Sequence, residues 1–122
     1  MDILGIREKL NLGHTIGHAI EGAGNGSITH GEAVSIGIVA CVKLSCAMKL
    51  LSKPIATKII SLIKILGLPT NVSGININKI VELLIMDKKA GKFVLIEDIG
   101  KLKAGVFADK ELVIKILKEI IL

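Results

Sequence analysis

The segment from residue 32 to residue 51 constrains the fold most, because it is apolar on nearly every side of a helix. Its apolar and small residues recur at helical spacing; they are Ala33, Ile36, Gly37, Ala40, Val42, Leu44 and Met48. A helix with this pattern must be surrounded by other elements. We therefore predict a central, buried helix whose small residues, Ala33, Gly37 and Ala40, allow a close helix crossing.

The composition favours helices packed into a single domain. The chain has 122 residues and is 51% hydrophobic, with two Phe and no Tyr or Trp, so its core is aliphatic. The lack of aromatic side chains argues against modules that stack nucleic-acid bases. The longest apolar run, residues 33–42, is too short to span a bilayer. We expect one domain over residues 1–122, soluble and cytoplasmic, with no nucleic-acid or membrane partner.

Four further helical patterns accompany the central one. They span about residues 7–23, 53–66, 79–89 and 109–121. Ser27 or Thr29 is placed to cap the central helix. Asn78 is placed to cap the fourth helix and Asp109 the last. These helices are expected to pack around the central one.

A small β-structure is predicted between the last two helices. Residues 93–96 and 102–107 have extended patterns and flank a turn-forming segment. They predict a hairpin or two short extended segments. The predicted fold class is therefore mainly α, bundle-like, with a possible small β-hairpin.

The three histidines of the chain lie within seventeen residues, which suggests that they meet in one site. His14 and His18 are four residues apart and lie on the same side of a helix, as does Glu21. His30 follows twelve residues after His18, beyond a glycine-containing linker. Imidazole binds zinc and also serves as an acid or base. The spacing leaves open which histidines bind a metal, and each could instead be satisfied by a backbone carbonyl.

Two polar residues extend the face that carries His14 and His18. Arg7 and Asn11 continue it at spacings of four and three residues. Arginine binds carboxylate or phosphate through two hydrogen bonds, and asparagine both donates and accepts. This row favours an anionic ligand over an ordinary exposed helix face. Lys88, near the end of the fourth helix, either complements the helix dipole or contacts a phosphate.

Together these residues resemble the signature of the 3-dehydroquinate synthases. The resemblance lies in residues 7–21, where a Gly-His-x-x-Gly-His pattern ends at His18, and in a His-Gly-Glu-Ala-Val segment that starts at His30. It continues through residues 67–69, 87–89 and 93–100, and so covers essentially the whole chain. Glycerol dehydrogenases and iron-containing alcohol dehydrogenases share only a looser histidine pattern.

The resemblance implies the helical C-terminal domain of the dehydroquinate synthase-like fold. It implies conversion of DAHP, a seven-carbon keto-acid phosphate, into 3-dehydroquinate and phosphate in the shikimate pathway, with NAD and a divalent metal, zinc or cobalt. His14 and His30 match the metal ligands of the family, and His18 matches an acid–base histidine. The positions that contact substrate match Arg7, Asn11 and Lys88.

The chain also departs from the family pattern. Family enzymes are much longer, and their N-terminal half carries the NAD-binding α/β domain and a glutamate that completes the metal site. No glycine-rich dinucleotide loop follows a strand here, so that half is an implied partner and the isolated chain is expected to have little activity. Ile3 stands where family members usually carry Glu.

Two other functions are compatible with these residues. One is the helical domain of another sugar-phosphate cyclase or of a glycerol-dehydrogenase-like enzyme. The other is a non-catalytic helical domain that binds a metal or a protein. The complete enzyme implied by the resemblance is expected to be a homo-oligomer.

Overall fold

The computed structural model describes residues 14–86, 92–98, 101–107 and 110–122, with side-chain surroundings for residues 16–84 and 110–122. The elements within these ranges, in chain order, are α1 His14–Gly24, α2 His30–Ala47, α3 Lys53–Ile65, α4 Ile77–Met86, β1 Lys92–Asp98, β2 Lys101–Phe107 and α5 Lys110–Ile120. The predicted class, mainly α with a small hairpin, is confirmed.

Helix α2 is the buried centre of the domain, as its all-round apolar pattern predicts. Ten of its 18 residues are buried, and six of these, among them Ile36 and Leu44, share one hydrophobic cluster with Ile20 of α1, Ile80 of α4 and Leu117 of α5. Among the described helices, α2 alone is long and apolar enough to cross a membrane by length and composition. A central helix of a globular core has the same length and composition.

A capping box begins α2. The Thr29 hydroxyl accepts a hydrogen bond from the Glu32 backbone N–H at 3.2 Å, and the Glu32 carboxylate accepts one from the Thr29 backbone N–H at 2.9 Å. These bonds satisfy donors that a helix start leaves unpaired. Of the two predicted caps, Thr29 is thus the one used. The helix covers His30–Ala47 rather than residues 32–51.

The α3 helix ends as its sequence predicts and is tied to α2. Gly67 has φ +81°, its N–H donates to the Lys64 carbonyl, and the next N–H donates to the Ile63 carbonyl. This paired arrangement is a Schellman ending. The Ser35 hydroxyl of α2 then donates to the Pro69 carbonyl at 2.7 Å. The segment that follows α3 is therefore anchored on the central helix.

The start of α4 differs from the prediction. The helix begins at Ile77, so the expectation that Asn78 caps it is wrong. The side-chain oxygen of Asn76 instead accepts from the Asn78 backbone N–H at 2.8 Å. Both asparagines suit a helix start, and their spacing alone does not distinguish them. The predicted end near residue 89 and the predicted cap Asp109 lie outside the described residues.

The hairpin places one strand beside the central helix. Strands β1 and β2 pair antiparallel, with Lys92 opposite Phe107 and Asp98 opposite Lys101. The register shifts after Phe93 and again after Ile96, and irregularities of this kind increase the local twist. Strand β1 lies against α2.

Candidate functional site

The candidate site forms where α1 crosses α2 at close range. A Cβ atom built on Gly17 would lie 3.1 Å from the Ala33 carbonyl oxygen and 3.3 Å from the Val34 Cα. Both atoms belong to the backbone, so no side-chain rotation can make room. On the same helix Ile16 and Ile20 are fully buried in the core. The missing side chain at Gly17 therefore permits the observed separation of the two helices.

This crossing brings His18 and His30 together. His18 directly follows Gly17, and His30 is the first residue of α2. Their ring centroids are 6.0 Å apart and the ring planes are inclined by 42°. Both side chains are exposed, so a small molecule can reach them. His14 is the first residue of α1, but its side chain lies outside the described part of the structure.

Glu21 joins the two helices at the histidines. Its Oε1 lies 2.8 Å from His30 Nδ1. Helical spacing places Glu21 on the face of His18, but spacing along one helix does not reveal a contact with the next helix. The bond connects the last turn of α1 to the first residue of α2.

Glu32 has a different role, although it is only two residues from His30 in sequence. Its carboxylate is engaged by Thr29, whose backbone N–H and then hydroxyl hold the pKa of Glu32 below its ordinary value. Hydrogen bonds to the charged form stabilise that form. The glutamate of the His-Gly-Glu segment therefore shapes the helix that presents His30.

The other predicted site residues lie outside the described residues. Arg7, Asn11 and Lys88 fall in the ranges 1–13 and 87–91. Within the described residues, no group of three His, Cys, Asp or Glu side chains is arranged to hold a metal ion.

Comparison with known families decides the ancestry of the chain. The model of the 3-dehydroquinate synthase C-terminal domain matches residues 2–90. The chain belongs to the 3-dehydroquinate synthase family. The matched range includes every candidate site residue of the sequence analysis, namely Arg7, Asn11, His14, His18, His30 and Lys88.

Individual 3-dehydroquinate synthases are similar in sequence to the chain. It is 38% identical to 3-dehydroquinate synthase of Ruminiclostridium cellulolyticum over 119 residues, which are 94% of this chain and 33% of that protein. It is 40% identical to the Clostridium tetani enzyme over 119 residues, 95% of this chain and 32% of that protein. The chain thus spans about a third of the length of these relatives.

A solved structure confirms the synthase-like fold. The chain superposes with TM-score 0.77 and 28% identity on 2-deoxy-scyllo-inosose synthase complexed with carbaglucose-6-phosphate, NAD+ and Co2+. The superposition covers 89% of this chain and 34% of that one. The predicted architecture, a helical domain of the dehydroquinate synthase-like fold, is therefore confirmed.

Proposed function

We propose that this chain is the metal- and substrate-binding domain of a 3-dehydroquinate synthase, which converts DAHP into 3-dehydroquinate and phosphate in the shikimate pathway. The observation that carries the proposal is the meeting of His18 and His30, 6.0 Å apart, at the close crossing of α1 and α2. Both lie within the range matched by the family model. We place the protein in the cytoplasm, where thiols such as those of Cys41 and Cys46 stay reduced.

In this proposal His14 and His30 hold a divalent metal, zinc or cobalt. Imidazole nitrogens suit both ions, and a carboxylate on the other ring nitrogen, as Glu21 provides for His30, commonly accompanies a ligating histidine. The donor chemistry of His30, with Glu21 at its other ring nitrogen, therefore fits such an ion. A bound metal would act as a Lewis acid on the oxygen of the hydroxyl that is oxidised. The structural relative was solved with Co2+.

His18 is the proposed acid–base group. An imidazole both accepts and donates a proton, and the exposed ring of His18 stands beside the residue proposed to hold the metal. Proton exchange at His18 is then available to a substrate bound there. Arg7 and Lys88 carry charges opposite to those of the carboxylate and phosphate of DAHP, and Asn11 can bind its hydroxyl groups.

The proposed partner is an NAD-binding part that completes the active site. The chain spans about a third of its relatives, and the structural relative was solved with NAD+. Near the end of α3, Leu62, Ile65 and Leu66 are exposed, and clustered apolar side chains of this kind are typical of contact surfaces. They count against a self-sufficient, non-catalytic domain. We expect the isolated chain to be nearly inactive and the complete enzyme to be a homo-oligomer.

A chimeric enzyme tests the proposal. This chain replaces the matching C-terminal segment of the Ruminiclostridium cellulolyticum enzyme, and phosphate release from DAHP is measured with NAD+ and Co2+. We expect release that is lost on His18→Ala and kept on Lys58→Ala, an exposed change on α3. A folded chimera that binds NAD+ but releases no phosphate contradicts the proposal.

A second candidate function is the domain of another sugar-phosphate cyclase. The structural relative favours it, since that enzyme was solved with carbaglucose-6-phosphate. The same chimera assayed with glucose 6-phosphate, the sugar that this carbocycle mimics, separates the two functions. Turnover of glucose 6-phosphate in place of DAHP would favour the second candidate function, another sugar-phosphate cyclase.

A further inference from the structure

We infer that Glu21 is a positioning residue for His30, fixing its ring so that Nε2 is the atom directed to a metal. The inference rests on the proposed function, because it assumes that His30 is a ligand. It goes further in naming the ligating atom and the side chain that selects it. Glu21 itself would bind neither metal nor substrate.

The first support is the geometry of the contact. The Glu21 Oε1 to His30 Nδ1 distance of 2.8 Å is typical of a strong hydrogen bond between a ring nitrogen and a carboxylate. The two residues belong to different helices and are nine positions apart. The contact thus fixes the ring of His30 relative to α1, the helix that carries His14 and His18.

The second support is the chemistry of the two groups. An ionised carboxylate only accepts hydrogen bonds, so the proton must be on Nδ1. In a neutral imidazole the lone pair is then on Nε2. Metal-bound histidines commonly have this arrangement, in which the outer carboxylate sets the tautomer and orients the ring.

The third support is the selectivity of the contact. Glu21 lies near His30 in the structure and Glu32 lies near it in the sequence, and their roles differ. Glu32 is engaged by the backbone and hydroxyl of Thr29, whereas Glu21 contacts the ring. The carboxylate that orients His30 therefore comes from α1, although Glu32 is nearer in sequence.

The tautomer of His30 is a direct readout that requires neither metal nor catalysis. Long-range 1H–15N spectra of the metal-free chain, recorded where the imidazole is neutral, distinguish a proton on Nδ1 from one on Nε2. We expect the Nδ1–H form in the wild type and in Glu82→Ala, which removes an exposed carboxylate on α4. Glu21→Ala should shift His30 toward the Nε2–H form that free histidine prefers. A wild-type His30 in the Nε2–H form would overturn the inference.

Cobalt binding is the second readout. In Co2+ titrations of the chimeric enzyme carrying the same substitutions, followed by absorption, Glu21→Ala should weaken binding by about 10–100-fold, the usual effect of losing an outer carboxylate. Glu82→Ala should bind as the wild type does, and Glu21→Gln, which keeps an acceptor oxygen, should recover part of the loss. Equal Co2+ affinity in the wild-type chimera and a folded Glu21→Ala chimera overturns the inference and leaves the proposed function intact. A wild-type chain that has the Nδ1–H form, with a folded chimera that binds no Co2+, contradicts the metal site of the proposed function instead.

Discussion

Replacing Gly17 with alanine adds one methyl group at the point where α1 and α2 touch. The new Cβ would lie 3.1 Å from the Ala33 carbonyl oxygen and 3.3 Å from the Val34 Cα, so the helices must separate by a few tenths of an ångström. Overpacking of a core costs about 1–3 kcal/mol. Alanine in place of a helical glycine returns up to about 1 kcal/mol. We expect a net loss in the free energy of unfolding of roughly 1 kcal/mol.

The effect on the site should exceed the effect on stability. His18 follows Gly17 directly, and His30 lies one turn before Ala33, so separation of the helices changes the 6.0 Å spacing of the two rings. Functional groups must be held within about 0.5 Å of their working geometry. We therefore expect the rate of phosphate release by the Gly17→Ala chimera to fall on the order of tenfold, since a displacement of about 1 Å can lower a rate about a hundredfold.

Gly31→Ala is the matched control, because it makes the same chemical change next to His30. A Cβ at Gly31 would meet nothing within 4 Å, so activity should be kept, and stability should be kept or raised by up to about 1 kcal/mol. Stability is measured by urea unfolding of the chain, and activity by phosphate release from the chimera. A Gly17→Ala protein as stable and as active as Gly31→Ala would refute the role assigned to the crossing.

Three further predictions concern the structure that supports the site. Thr29→Ala should lower the free energy of unfolding by about 1 kcal/mol through loss of the cap, whereas Ser27→Ala should not; equal effects of the two in urea unfolding would contradict the capping box. The folded-state pKa of Glu32 is below its ordinary value of 4.5. The contribution of Glu32 to the free energy of unfolding is therefore present above pH 4.5 and is lost as the pH falls through the folded-state pKa. The stability difference between wild type and Glu32→Gln should therefore narrow on acidification, and a constant difference across pH would contradict this. Ser35→Ala should cost about 1 kcal/mol in thermal unfolding, because the Pro69 carbonyl loses its hydroxyl donor; an unchanged melting temperature would show that the bond contributes nothing.

The centre of the fold could be predicted because its signal is local and strong. An all-round apolar helix has to be buried, and α2 is. The helix ends were less predictable from residue type alone, since Ser27 and Thr29 both suit a cap. The signal that separates them is the spacing of Thr29 to Glu32, which is that of a capping box. At the start of α4, residue type did not distinguish Asn76 from Asn78.

The meeting of His18 with His30 was predictable from the sequence, whereas the packing that brings them together was less so. Clustering along the chain indicated that the histidines meet, and the structure brings His18 to His30. The close crossing was expected from the small residues of α2, and Ala33 does lie at the crossing. The residue whose missing side chain permits the close approach is on the other helix, at Gly17. The Glu21 contact with His30 joins two helices. Its presence depends on their packing, which periodicity within either helix does not describe.

Phosphate release from DAHP by the chimeric enzyme, with NAD+ and Co2+, tests the central claim most directly. If this chain is the metal- and substrate-binding domain of a 3-dehydroquinate synthase, the chimera releases phosphate and His18→Ala abolishes the release. A folded, NAD+-binding chimera that releases no phosphate from DAHP would contradict the claim.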